Sequence, residues 1–452
     1  MRIKERTTSW CHLAICRSDP SSSRQSLPTP NLFPCSGVYL YVLRGRQRMK
    51  EKTSRRQFAF GTGAAFLAPQ VVSPKRTLRP PRGTISDGFL AGLPRLMELA
   101  GVPGLSFAMI NDGKLALARG FGVKKSGEND AVDADTIFGA ASLSKPVFSY
   151  AVLRMRDEKL IDLDRPLFQY FPYPDLADEA QARLITARQV MSQSTGFVNW
   201  RNAKNERLSP AFKPGGRFSY SGEGFYFLQR AVEEITGKGF EGYIQERVLR
   251  PLGMTSSTYV WMKETEARVS WGHNNRVAAQ QMWNARQGPR LLEIAQEWRK
   301  PLPQWRHDDT ARALPLVDKN LVALPNFMIP NCAGSLITTA KDYAQFMIRL
   351  MGGIGDSLDL AEASRREMLT PQVKINSALG WGLGLGLERE AAQDCFWHWG
   401  DNGTFKAFMM GDAAARSGVV VFTNATNGHR LWERIVAQAT GRDHAAFLFW
   451  MV

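Results

Sequence analysis

The chain has 452 residues, 44% hydrophobic and 22% charged, with 58 Lys and Arg against 42 Asp and Glu for a formal charge of +16. A nucleic-acid binder needs its surplus cations gathered on a folded surface, yet residues 1–86 carry 16 basic against 3 acidic groups, leaving 42 against 39 in the remaining 366. The body is close to neutral, which argues against a nucleic-acid partner, and no uninterrupted apolar run approaches the roughly 20 residues of a membrane-spanning helix.

In chain order, residues 1–48 are rich in Ser, Arg and Pro without periodicity and hold Cys11, Cys16 and Cys35; they read as a non-native upstream extension, with Met49 the expected start. Met49 opens MKEKTSRRQFAFGTGAAFLAPQVVS, in which Arg55 and Arg56 precede a mild apolar run. Residues 49–72 resemble a twin-arginine export signal, with a periplasmic or secreted destination. The plain alternative is a basic linker before a short buried helix. Residues 73–84 contain three prolines that stop helix propagation and form a linker, so the folded body is expected over 85–452.

In that body a helix is expected over 87–99. Two apolar runs within 104–122 flank Asn111-Asp112-Gly113, residues that tolerate the positive φ of a tight hairpin turn. A mostly helical middle follows at 146–159, 186–193, 224–236, 239–249 and 339–351. Strand patterns return at 382–387, 395–399, 405–410 and 418–423, and a helix over 431–439 closes the chain. The Gly-Leu alternation of 382–386 reads as a strand approached closely by another backbone, not a nucleotide loop. Strands at both ends with helices between predict an α/β (α+β) fold, an antiparallel sheet assembled from both chain ends and flanked by helices, with a helical region inserted. Residues 263–325, rich in Gln, Asn, Arg and Trp, read as a poorly regular insertion. Their tryptophans Trp271, Trp283, Trp298 and Trp305 are equally suited to covering a cleft and to anchoring a core.

Ser142-Leu143-Ser144-Lys145 precedes a helical run, which places Ser142 at a helix start and Lys145 one turn on, on the same face. A serine hydroxyl is a poor nucleophile until a base takes its proton, and a lysine kept neutral by burial can do so. Alone, S-x-x-K arises by chance, and its plain alternative is an N-cap serine beside a solvated lysine. Two further segments, Lys-Pro-Gly-Gly leading into Tyr220 and His398-Trp399-Gly400-Asp401-Asn402-Gly403, add weight. No G-x-S-x-G elbow and no H-E-x-x-H or similar metal cluster occurs, and no cofactor is expected. Cys332 and Cys395 form no C-x-x-C pair; a disulfide between them stays open.

Taken in order, Ser142-x-x-Lys145, Tyr220 and His398-x-Gly400 resemble the serine beta-lactamase and penicillin-binding hydrolase superfamily, in particular its class C and related esterase branch. The segments ITARQVMSQSTGFVNW (185–200), RVLRPLGMT (247–255) and AGSLITTA (333–340) follow the same order. The resemblance implies Ser142 as the acylated nucleophile, Lys145 as its proton acceptor and Tyr220 as the group that assists attack and protonates the leaving group. It implies a substrate-binding strand of His398, Gly400 and Asp401, with backbone N–H groups of Ser142 and Asp401 as the oxyanion hole. Tyr220-Ser221-Gly222 departs from the family's Tyr-x-Asn, so Gly222 cannot supply the amide that contacts an acylamino carbonyl; Ser221 or Glu223 are the candidates to replace it. His398 stands where many relatives have a lysine. The expected activity is acyl-enzyme hydrolysis of esters or amides of small acyl compounds or D-amino-acid peptides. The alternatives are an acylated sensor without turnover, a degenerate hydrolase or a weak beta-lactamase.

Overall fold

The computed structural model describes residues 84–449 apart from 177, 204, 205, 353, 354, 356–358, 391 and 392. The upstream extension, the twin-arginine-type segment and all but the last residue of the linker lie outside the described residues.

Helix α1 (Asp87–Ala100) starts on the Ser86 side chain, which accepts from Phe89 N–H, and stops at Gly101 in the left-handed region. Strands β1 (Gly104–Asn111) and β2 (Lys114–Gly122) form the hairpin, with Asp112 and Gly113 at φ 53° and 70° as the Asn-Asp-Gly turn requires. After β3 (Phe138–Gly139) and a 3₁₀ turn, Ala141–Leu143, come α2 (Ser144–Asp157), α3 (Ala187–Met191), α4 (Gly222–Thr236) and α5 (Phe240–Ile244), which runs into one π-helical turn, Gln245–Leu249. Then follow β4 (Gly272–His273), β5 (Ala279–Gln280), α6 (Trp283–Glu297), α7 (His307–Val317), β6 (Ile337–Thr338), α8 (Ala340–Leu350) and α9 (Glu362–Met368). The chain returns to the sheet through β7 (Val373–Lys374), β8 (Leu379–Trp381), β9 (Gly386–Glu390), β10 (Gln393–Asp401), β11 (Lys406–Asp412) and β12 (Ser417–Thr423), before α10 (His429–Thr440).

The main sheet is antiparallel throughout, in the order β2-β1-β12-β11-β10-β9-β8-β7. The first hairpin thus pairs with the last strand, Phe107 opposite Val421, and the sheet is built from both chain ends as expected. Helices cover both faces. Phe107, Met109, Phe408, Val419 and Val421 pack with α1 and α10, while their neighbours Ala108, Ile110, Ala407, Met409 and Val420 pack against α2 and α8. This alternation is the two-residue period of a strand buried on both sides. Helix α2 is buried almost all round and forms the centre of the larger core.

Two expectations are corrected. The stretch 382–387 is not one strand: Gly382 N–H donates to Leu385 O, Gly384 takes φ 87°, and the chain turns there between β8 and β9. Glycine alternating with leucine fits a tight turn with buried leucines as well as a strand, and the positive φ decides for the turn. The insertion 263–325 is not poorly regular either, since it carries α6 and α7 around a core of its own made by Leu291, Ile294, Trp305 and Ala313. Gly288 and Pro289 inside α6 conceal it, although Leu291, Ile294, Ala295 and Trp298 keep helical spacing. Its tryptophans divide between the two roles. Trp305 is fully buried and stacks on Trp298, Trp283 lines a cleft, and Trp271 receives the Lys125 ammonium over its ring. Cys332 and Cys395 are both free and buried. No helix among the described residues is long and apolar enough to cross a membrane.

Candidate active site

Ser142 lies in the 3₁₀ turn leading into α2 and lines a cleft of about 560 Å³. The residue before it, Ala141, has φ 49°, a left-handed conformation that costs an L-residue about 1–2 kcal/mol. Buried polar contacts hold the turn in that shape. Ser144 Oγ donates to Ala141 O at 2.5 Å and accepts from Leu336 N–H at 3.0 Å. Tyr343 OH donates to Leu143 O and Tyr259 OH to Ser144 O, each at 2.9 Å. Of these three side chains only Ser144 lies within a motif read from the sequence, as an unassigned residue between Ser142 and Lys145; Tyr259 and Tyr343 lie just beyond the 247–255 and 333–340 segments.

Lys145, three residues after Ser142, lies in the first turn of α2 and is fully buried, with Nζ donating to Ser142 Oγ at 3.0 Å and to Ala333 O at 2.8 Å. Burial pushes its pKa down to about 7, because a low-dielectric surrounding disfavours the charged ammonium. Near neutral pH a substantial fraction therefore carries a lone pair beside the serine hydroxyl. Among the described residues, no group of three or more acidic, histidine or cysteine side chains is placed to hold a metal ion.

Tyr220 approaches from the segment before α4, its ring 4.8 Å from Lys145 Nζ. Gln193 fixes it from both sides, its backbone carbonyl accepting from Ser219 N–H and its Oε1 from Ser221 N–H, both at 2.7 Å. The phenol oxygen is buried and without a hydrogen bond of ordinary geometry. Burial pushes its pKa up, while the Ser142 hydroxyl that it faces pulls the other way.

His398 projects from β10, fully buried, its ring 6.2 Å from that of Tyr220. Nδ1 donates to Trp399 O at 2.7 Å, and since a carbonyl can only accept, Nδ1 holds the proton. Burial, with the Lys145 ammonium nearby, lowers its pKa to about 3, so the ring is neutral and Nε2, which has no partner, is a bare acceptor. The resemblance places His398 where many relatives have a lysine, a cationic donor. The environment makes it an uncharged acceptor instead.

Gly400 brings β10 against the turn: an ideal Cβ would stand 2.3 Å from Ala140 O and 3.2 Å from Ser142 N. Asp401 lines the cleft, and its carboxylate is taken up by Lys406 and by Gly403 N–H. Gly222 opens α4 beneath the ring of Trp200. Neither suggested replacement for the missing amide is available: Ser221 Oγ caps α4 by accepting from Gly224 N–H and donates to Val198 O, and the buried Glu223 carboxylate pairs with Arg201 at 3.0 Å. Ser142, Lys145, Tyr220 and His398 thus converge from three separate stretches of chain. Residues 280–284, 286 and 326–328, in and just after the insertion, line the same cleft.

The Beta-lactamase family model matches residues 93–440. The chain belongs to the beta-lactamase family. This serine beta-lactamase and penicillin-binding protein-like chain is 25% identical over 174 residues to Protein flp of Staphylococcus aureus strain MW2, and 25% identical over 180 residues to D-alanyl-D-alanine-carboxypeptidase/endopeptidase AmpH of Escherichia coli K12. Each match covers 35% of this chain, and they cover 35% and 46% of those relatives, so the chain matches well under two thirds of their length. Among solved structures it is similar to the octameric penicillin-binding protein homologue from Pyrococcus abyssi, with TM-score 0.60, 19% identity and coverage of 78% and 77% of the two chains. It is also similar to D-alanine carboxypeptidase AmpC from Burkholderia cenocepacia, with TM-score 0.58, 16% identity and coverage of 78% and 97%. At such identities the likeness establishes the beta-lactamase-like fold and no more.

Proposed function

We propose that the protein is a serine hydrolase that cleaves uncharged esters of small acyl compounds through an acyl-enzyme on Ser142. The observation that carries this reading is the 3.0 Å contact of Ser142 Oγ with a buried Lys145 whose pKa lies near 7. As Ser142 Oγ bonds to the substrate carbonyl carbon, its proton passes to Lys145 Nζ. The resulting oxyanion is met by the N–H groups of Ser142 and Asp401; aimed donors of this kind contribute about 3–4 kcal/mol each. The leaving alkoxide then takes a proton from the Tyr220 phenol or from the Lys145 ammonium as its bond to the carbonyl breaks. Water attacks the acyl-enzyme by the reverse proton path and frees the acid.

Esters are favoured over beta-lactams and carboxy-terminal peptides because His398 offers a lone pair where a carboxylate needs a cation, and because position 222 has no amide. Arg55 and Arg56 support export to the periplasm or beyond as part of the same proposal.

The test is p-nitrophenyl butyrate and a chromogenic cephalosporin offered to the full chain and to Ser142→Ala. Ester turnover that falls at least a thousandfold in Ser142→Ala, with little cephalosporin hydrolysis, is the expected result. Stoichiometric acylation without turnover favours a sensor, and ester turnover that survives the substitution refutes the assignment.

A further inference from the structure

At Gly222 an ideal Cβ would stand 2.2 Å from Cζ2 and 2.3 Å from Cη2 of Trp200. The indole therefore fills the space into which a side chain at position 222 would project. Both neighbours of Trp200 are tied to the first turn of α4. Asn199 accepts from Gly222 N–H through its carbonyl and its Oδ1, at 3.0 Å each, and from Glu223 N–H at 3.0 Å, while Arg201 N–H donates to Glu223 Oε1 at 3.0 Å. The half-buried ring lies along the same cleft wall as Ser142, with Met282 and Phe327 in the lining, and 5.9 Å from Lys145 Nζ. A site that held an acylamino group would present a hydrogen-bonding amide there. Here the Trp200 ring takes that place, in a cleft whose lining also includes Asn199, Gln280, Asn284 and Asn331, and both oxygens of the adjacent Asn199 are already engaged.

We infer that Trp200 forms the wall of the acyl pocket and selects esters whose acyl chain is apolar next to the carbonyl, discriminating against those with an acylamino group at that place. Apolar carbon gains by leaving water for the indole. An acylamino group set against the same ring carbons would lose its hydration there and gain no bond from them, a mismatch of the kind that separates substrates. This inference rests on the acyl-enzyme reading above.

The test compares p-nitrophenyl pentanoate with the p-nitrophenyl ester of N-acetylglycine, which has the same chain length, each kcat/KM being divided by that ester's alkaline hydrolysis rate. The wild-type protein is expected to prefer the pentanoate by about tenfold or more. Trp200→Ala should narrow the ratio to within about threefold, and Trp200→Phe, which keeps an aromatic wall, should retain most of it. Thermal unfolding of each variant accompanies the kinetics; if Trp200→Ala fails to fold, the wild-type ratio and Trp200→Phe decide. Equal use of the two esters by the wild type, or a ratio unchanged in Trp200→Ala, overturns the inference and leaves Trp200 a packing residue. Preference for the N-acetylglycine ester overturns it too and assigns recognition to the Asn199 amide nitrogen. Loss of this pattern while Ser142→Ala still abolishes turnover refutes only the role of Trp200, whereas turnover surviving Ser142→Ala refutes the hydrolase reading beneath it.

Discussion

Replacing Gly400 with alanine introduces one methyl group at the point where β10 passes the serine turn. Its carbon would fall 2.3 Å from Ala140 O, 3.1 Å from Ala141 Cβ and 3.2 Å from Ser142 N. Carbon to oxygen contacts close at about 3.3 Å, so one partner must retreat by about 1 Å. The strand is held, with Gly400 in register opposite Ala407 and Asp401 opposite Lys406. The turn is braced too, by the buried hydrogen bonds of Ser144, Tyr259 and Tyr343, so strand and turn share the displacement, and the share that the turn takes moves Ser142 and its N–H. A misplacement of about 1 Å at the reacting centre costs about a hundredfold in rate, or about 2.7 kcal/mol, and the overpacking costs a further 1–3 kcal/mol or so of stability. Gly400→Ala is expected to lower kcat/KM on p-nitrophenyl butyrate by about two orders of magnitude, with a fall in Tm measured in parallel. Activity within about threefold of wild type at an unchanged Tm would show that the turn and β10 are not in contact in solution, and the account of the site would fail.

Ester turnover is expected to rise with pH through a midpoint near 7, since burial lowers the pKa of Lys145 to about 7 and the deprotonated amine is the active form; a kcat/KM profile flat from pH 5.5 to 8.5 would refute this. The same shift affects stability. The folded-state value lies below the ordinary lysine value of about 10.4, so between about pH 7 and 10.4 the unfolded chain binds more protons, and the contribution of Lys145 to stability rises with pH through that window. Lys145→Met should remove this part of the slope in denaturant titrations at pH 7 and 9.5. Arg201→Met leaves the Glu223 carboxylate, 0% exposed, without its 3.0 Å partner, and is expected to destabilise the protein by about 3–5 kcal/mol in urea unfolding. A loss under 1 kcal/mol would mean that Glu223 takes up a proton without difficulty when alone.

The sheet and its both-ends topology were legible because strand alternation and the Asn-Asp-Gly turn are local signals. The helices of the insertion were less so, since Gly288 and Pro289 break the propensity of α6 and only its packing around Trp305 stabilises it. The strand expected at 382–387 failed for a related reason: a glycine at φ 87° and a glycine in a pleat are the same letter.

The sequence by itself determined the Ser142 and Lys145 pair, because a spacing of three residues on a helix sets one side chain over the other wherever that helix lies. It also determined that Tyr220 and Gly400 keep the pattern of the family it resembles, while positions 222 and 398 depart from it. Only the tertiary structure decided what those residues are chemically. Burial turns Lys145 from a solvated cation into a candidate base, and a single carbonyl, Trp399 O, fixes the proton of His398 and leaves Nε2 an acceptor. Trp200 is brought over Gly222 by hydrogen bonds from Gly222 N–H to the carbonyl and Oδ1 of Asn199, 23 positions earlier in the chain. Charge state and pocket shape depend on what surrounds a group in space, and contacts between residues distant in the chain exist only once the core has closed around them.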